Sequence, residues 1–372
     1  GSETALQEFE VDVRSPNPEV LESETKVIEP GASASFAMEQ DGISGSHSYS
    51  LEASQFPSIN LSGRMSELIH YPHGCIEQST SAVFPQLFAM DVMQFSEKEK
   101  KAMLANIKAA LIKYQSFQQY EGGFAYWPGN REASDWGSNY AGHFMIEAEQ
   151  HGFTLPANLK SRWIDYQKNQ ANNWSPDSYS NYYAHAEESN QLIQAYRLYT
   201  LALAGNADVG SMNRLRETVG ISNESKLRLA ASYALIGQKN AAVNLINTVT
   251  SVESNNNYYY GSADRNRAML LETYLLVDQK TQAFELANKL AKNLSSNDYM
   301  STQTTAYALY AMSKFALKNG GKGIQVAVTN NGKTEAVTTN KSVADKKLVV
   351  KNGSNSVQIK NNNNNTIYVR VT

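Results

Sequence analysis

The sequence predicts a mainly α fold: an α/α toroid of about six helical hairpins inserted into a small antiparallel β-sandwich. Three observations lead there. The apolar period is two near both ends of the 372-residue chain and helical between them. The helical stretch divides into about twelve segments with short connectors, which pair as antiparallel hairpins. Neither terminal stretch holds strands enough for a stable sheet of its own, so the two are expected to combine into one sandwich.

Residues 1–57 form the first β part. Phe9, Val11 and Val13 alternate with acidic residues, Tyr49, Leu51 and Ala53 alternate again, and Pro16, Pro18, Pro30-Gly31 and Asp41-Gly42 break the runs. Residues 58–320 form the helical block. Ser96 and Glu99 make a capping box ahead of the stripe Leu104, Ile107, Leu111 and Tyr114. Leu227, Ala230, Ala231, Ala234 and Leu235 repeat the helical stripe, and Gly237 stops it. In a ring of hairpins the inner helices are apolar all round and the outer ones amphipathic. Residues 321–372 return to strands: Ile324, Val326 and Val328 alternate, Asn331-Gly332 is a hairpin turn, and Leu348 to Val350, Val357 to Ile359 and Ile367 to Val371 follow. Asn352-Gly353 marks another turn, and the tract Asn361 to Asn365 reads as a loop tip.

Composition excludes several functions. A net charge of -3 without a long basic run argues against a nucleic-acid or anionic-membrane surface. No apolar run reaches the roughly 18 residues of a membrane span. The first methionine is Met38 and the chain opens Gly1-Ser2, as expected of a trimmed piece of a longer protein. The single cysteine, Cys75, rules out an internal disulfide and any Cys-based metal site. A lone cysteine is either a small buried hydrophobe, the commoner state, or a reactive thiol.

Its placement favours reactivity. Pro72 and Gly74 break the chain just before Cys75, and a helix runs on through Val83, Leu87 and Met90. A thiol at a helix start lies at the positive end of the helix dipole, the usual setting of a reactive cysteine. Gln78 stands three positions on. Across one turn the two side chains can meet and close a ring of roughly fifteen atoms. Attack of the thiolate on the Gln78 amide would expel ammonia and leave an acyl thioester, a store of acylating power that needs a dry pocket. Tyr71 is a candidate for part of that shield, with ordinary packing the equal alternative.

The stretch YPHGCIEQSTSAVFPQL resembles the thioester motif of the alpha-2-macroglobulin and complement family. GGFAYWPG (122–129), SDWGSNYAGHFMIEAEQHGF (134–153), SADRNRAMLLETYLL from Ser262 and STQTTAYALYAM from Ser301 are similar to that family's toroid helices, and PSINLSGRMSELIHYPHGC to its bacterial branch. The resemblance implies a thioester domain (58–320) carried by a CUB-like β-sandwich (1–57 with 321–372). It also implies a broad-spectrum endopeptidase inhibitor and not an enzyme: a bait region is cut, the Cys75–Gln78 thioester is exposed, and a lysine amine of the attacking protease takes the Gln78 acyl group in a single turnover. Further implied are partners in the remaining macroglobulin-like domains, a role in host defence or colonisation, and an extracytoplasmic location, periplasmic or as a cell-surface lipoprotein. No cofactor or metal is implied, and no nucleic-acid partner.

Other candidates carry less. His185, in NYYAHAEE, matches the chain distance at which complement relatives place a histidine that redirects the acyl group to hydroxyls, but its local sequence differs from theirs. His73 reads as a solvated turn residue. Glu77 lies inside the motif and is expected to serve the helix dipole in the first turn rather than act as general base. Ile76 stands where vertebrate members usually carry glycine. Two other readings use the same scaffold. A toroidal cyclase or lyase would need an Asp-rich or metal-binding motif, and Asp135, Asp177 and Asp264 stand isolated, as caps or turns do. A thioester adhesin would keep the chemistry and aim it at surface amines.

Overall fold

The computed structural model describes residues 20–38, 45–59, 64, 71–176, 186–252, 262–296, 298–319, 323–351 and 353–372. Among these are eleven helices: α1 (Ile76–Val92), α2 (Glu97–Phe117), α3 (Asp135–Gln150), α4 (Leu159–Asn173), α5 (Ala186–Leu203), α6 (Val209–Arg216), α7 (Asn223–Leu235), α8 (Lys239–Ile246), α9 (Ala263–Leu276), α10 (Lys280–Leu294) and α11 (Thr302–Asn319). Eight strands flank them: β1 (Glu24–Ile28), β2 (Ser33–Met38) and β3 (Tyr49–Ser54) before, and β4 (Ile324–Asn330), β5 (Lys333–Thr339), β6 (Val343–Leu348), β7 (Asn355–Asn361) and β8 (Ile367–Val371) after.

The helices form a closed α/α ring. α1, α3, α5, α7, α9 and α11 each pack on the next, and α11 packs back on α1, while the even-numbered helices lie outside. Residue chemistry decides the layer. α3 is buried without a break from Trp136 to Ala148, and α11 is buried along nearly its whole length. On outer α2 only Met103, Ile107, Ala110, Leu111, Tyr114 and Phe117 are buried. The Ser96–Glu99 capping box is present. Leu104, read from the sequence as part of the inward stripe, is 40% exposed, because the buried stripe runs through Met103 instead.

The inner helices share one direction. Thr302 at the start of α11 bonds Glu77 at the start of α1, Ser262 bonds Thr304, Asn266 bonds Glu224, and the Ser222 amide donates to Gln191. These contacts put the first turns of α1, α7, α9 and α11 at one end of the ring, and Cys75 sits at that end.

Ionic groups lock the interior farther along. Arg228 pairs with Glu272 at 2.7 Å, both almost fully buried, and Lys314 bonds Glu147 at 2.7 Å and reaches Glu272 at 3.4 Å. Tyr199 and Tyr310 each donate to Glu272 at 2.5 Å. Burial alone would raise the Glu147 carboxyl, but the Lys314 ammonium and His143 overcome it and hold it down to about 2. Glu272 is depressed further by Lys314 and Arg228, again against burial.

The β parts combine as expected. One sheet runs β1-β8-β3-β6 and the other β2-β7-β4-β5, so each mixes strands from before and after the ring. Asn331 (φ 53°) and Gly332 (φ 81°) supply the left-handed pair of the β4–β5 hairpin. The asparagine tract is a bonded turn: buried Asn361 donates to Ile28 O and Asn365 O, and Asn363 accepts from the Gln325 amide. The sandwich meets the ring where Lys341 donates to Met90 O, Met93 bridges to Val343, and Arg370 donates to Ser295 O. The strand expected at Phe9 to Val13 and the Asp41-Gly42 turn lie outside the described residues. Among those described, no helix is long and apolar enough to cross a membrane.

Glu272→Gln keeps the shape but leaves Arg228 and Lys314 short of a counter-charge. It is expected to cost roughly 3–5 kcal/mol at neutral pH by urea denaturation. Because the folded carboxyl lies below its usual 4.5, its contribution is present above that value and drains away as pH falls. The gap between variant and wild type should therefore narrow in acid.

Candidate functional site

Cys75 is the N-cap of α1, with extended backbone (φ -69°, ψ 174°) and an exposure of 1%. Its Sγ accepts from the Gln78 amide at 3.5 Å, and Gln78 Oε1 accepts from the Cys75 amide at 3.3 Å. This is a capping box in which cysteine and glutamine replace the usual hydroxyl and acid. The helix start therefore brings the two side chains back onto each other. As a residue Gln78 is exposed, while Cys75 is buried.

Gly74 makes the return possible. Its φ is +86°, and a Cβ there would lie 2.1 Å from Gln78 Oε1. The carboxamide rests directly on the glycine backbone. The preceding loop is tied down as well. Lys113 of α2 donates to Pro72 O at 2.9 Å, Gly74 O at 3.1 Å and Ser79 Oγ at 3.0 Å. From the other side the GGFAYWPG loop supplies Tyr126 O, which accepts from the Ile76 amide at 3.1 Å. The Ile76 side chain packs against Gly137 at the start of α3, where an added Cβ would meet its Cγ2 at 2.7 Å.

Glu77 behaves differently from a solvated first-turn acid. It is 2% exposed and turns into the ring, accepting from Ser81 Oγ at 2.8 Å and Thr302 Oγ1 at 3.5 Å. Burial pushes its carboxyl up, against those bonds. The shift is in the direction of the neutral form. The contacts of Glu77 close the seam between the first and last inner helices.

His73 is exposed, with its ring against Tyr71 at 4.5 Å; its carbonyl, not its ring, meets Ser79. Tyr71 is half exposed. His185 and Asp177 lie outside the described residues. Asp135 pairs with Arg197 and Asp264 with Arg267, both at 2.8 Å. One cluster has almost no signature in the sequence: His143, Glu147 and Glu272 place ligand-type atoms within 4.8 Å of one another. The i,i+4 pair His143 and Glu147 is its only sequence trace. The Lys314 ammonium already bridges its two carboxylates, and burial keeps His143 lowered despite the neighbouring acids, so the described cluster is a closed charge network. Lys113 likewise has no signal in its local sequence.

A family model described as the A-macroglobulin TED domain matches residues 51–201. Alpha-2-macroglobulin of Escherichia coli (strain K12) is 23% identical over 284 residues, covering 71% of this chain and 17% of that protein. The chain thus spans a small part of that relative's length. In structure it resembles native Escherichia coli alpha-2-macroglobulin from domain MG7 to the C-terminus, with TM-score 0.70, 21% identity, 94% of this chain and 56% of that chain. It also resembles Salmonella alpha-2-macroglobulin reacted with methylamine, with TM-score 0.73, 20% identity, 94% of this chain and 23% of that chain.

Two substitutions test the local geometry. Gly74→Ala is expected to cost about 1–2 kcal/mol for the left-handed backbone alone and to displace the Gln78 carboxamide from the Cys75 amide, visible by urea denaturation and crystallography. Glu77→Gln keeps the acceptor for Ser81 and removes the titration. Since the folded carboxyl is raised, its favourable contribution exists in acid and is lost as pH rises through the folded value. The variant should match wild type in acid and exceed its unfolding midpoint at pH 7.

Proposed function

We propose that this chain, which belongs to the bacterial alpha-2-macroglobulin family, is the part of a protease trap that stores and delivers an acyl group. The observation that carries the reading is the reciprocal Cys75–Gln78 capping box on Gly74, which brings thiol and carboxamide together at one helix start. To form the store, Cys75 Sγ attacks Gln78 Cδ. A carbon–sulfur bond forms, the carbon–nitrogen bond breaks, and ammonia leaves with the thiol proton. To discharge it, an amine nitrogen attacks the same carbon. An amide forms, the carbon–sulfur bond breaks with its electron pair on sulfur, and the amine proton passes to solvent.

Each molecule does this once, so the protein is consumed as a reagent. The arrangement suits delivery to an outside nucleophile, because Gln78 is an exposed residue and Cys75 a buried one. A relative whose structure was determined after reaction with methylamine supports an amine as the acceptor. Trapping needs a trigger, which in this reading is cleavage of a bait region elsewhere in a longer protein. With Gln78 exposed here, neighbouring macroglobulin-like domains keep water from the bond until then. The setting is extracytoplasmic, the targets are proteases with accessible lysines, and the anchor, where one exists, belongs to the longer protein.

The protein that carries this chain should form a conjugate with an added protease that survives boiling in detergent. Cys75→Ala and Gln78→Asn should abolish it, the second because the shorter side chain cannot close the ring. A Cys75→Ala protein that still conjugates protease would contradict the reading.

A further inference from the structure

Three carbonyl oxygens of the loop before Cys75 converge on one spot. Ser79 Oγ lies 3.4 Å from Pro72 O, 3.3 Å from His73 O and 3.4 Å from Gly74 O. Such a convergence of negative dipole ends needs positive charge. Lys113 reaches in from outer helix α2 and places Nζ within hydrogen-bond distance of Pro72 O, Gly74 O and Ser79 Oγ. Three acceptors match the three hydrogens of an ammonium, whereas a neutral amine offers two. The group is half-buried, with Nζ 5.4 Å from the Phe117 ring centre. The group that holds φ +86° at Gly74 from the carbonyl side is therefore a cation from a different helix.

We infer that Lys113 is the positioning residue of the acyl-transfer site: it holds the Pro72–Gly74 loop so that Cys75 and Gln78 meet, and its fixed charge steadies the thiolate that leaves. The inference rests on the thioester reading. In the discharge step the incoming amine forms its bond to Gln78 Cδ, the carbon–sulfur bond breaks toward Sγ, and Lys113 keeps its own protons throughout. Burial lowers the Lys113 ammonium's pKa, and a charge on Cys75 opposes that shift. Occupied by three acceptors, the same amine is a poor internal nucleophile. This explains how a lysine can sit beside a stored acyl group without consuming it.

The test uses the protein that carries this chain, as wild type, Lys113→Met and Lys113→Arg. Intact mass gives the fraction with the thioester formed, and thiol release on adding methylamine gives the rate constant of that fraction. Loss of the fixed positive charge held on the loop that leads into Cys75 predicts about a tenfold lower rate constant in Lys113→Met, with Lys113→Arg close to wild type. A purely structural role would lower the formed fraction and leave the rate constant of the remainder unchanged, which would overturn the inference. So would a Lys113→Arg protein as slow as Lys113→Met, or one that forms no thioester. Formation in Lys113→Arg but not in Lys113→Met supports it. Absence of thiol release from wild type overturns the thioester reading and this inference together. Normal release from wild type with an unchanged Lys113→Met rate constant overturns this inference alone.

Discussion

The left-handed glycine at position 74 is the constraint on which the site depends. Its backbone leaves the space that the Gln78 carboxamide occupies, and the φ of +86° aims the following amide at Gln78 Oε1. Capping boxes ordinarily satisfy the free amides of a helix start. Here the same geometry gathers a nucleophile and an acyl carbon, so local folding and the proposed chemistry use one set of hydrogen bonds. Everything around Gly74 keeps it there: Lys113 from α2, Ser79 from α1 and Tyr126 O from the next loop.

The ring gives that constraint a rigid base. Its inner helices run in one direction, so the helix start at Cys75 is held among other helix starts, and Glu77 joins the first to the last through Thr302. Farther along, Arg228, Lys314, Glu147 and Glu272 form a closed ionic network among tyrosines. Buried pairs of this kind contribute little net stability but make partial loosening costly, since opening the ring would strand charges in an apolar interior. The sandwich is clasped to the ring at Met90, Met93 and Ser295, and its strands come from both sides of the helical block. The chain therefore enters and leaves the ring through one β-structure.

Much of this is legible in the sequence because it is local. The Ser96–Glu99 box, the Gly237 stop, the Asn331-Gly332 turn and the cysteine three residues before a glutamine are each read within a few positions. What stays hidden depends on residues distant in the chain. Lys113 lies 39 positions from Gly74, and nothing in its surroundings on α2 marks it. Glu77 reads locally as a first-turn acid at the helix dipole, and only the closing helix shows that it is buried. The partners of His143 and Glu147 arrive from α9 and α11, and Leu104 departs from its expected inward position because α2 turns Met103 inward instead.

The central claim is that Cys75 and Gln78 are covalently joined in the native protein. The most direct measurement is the intact mass of the full protein carrying this chain, before and after methylamine, with parallel thiol titration. The account predicts a native mass one ammonia below that of the unmodified sequence, no titrating Cys75, and on treatment a gain of one methylamine with the appearance of one thiol. A native mass equal to the unmodified sequence, with Cys75 freely titrating and no change on treatment, would contradict it.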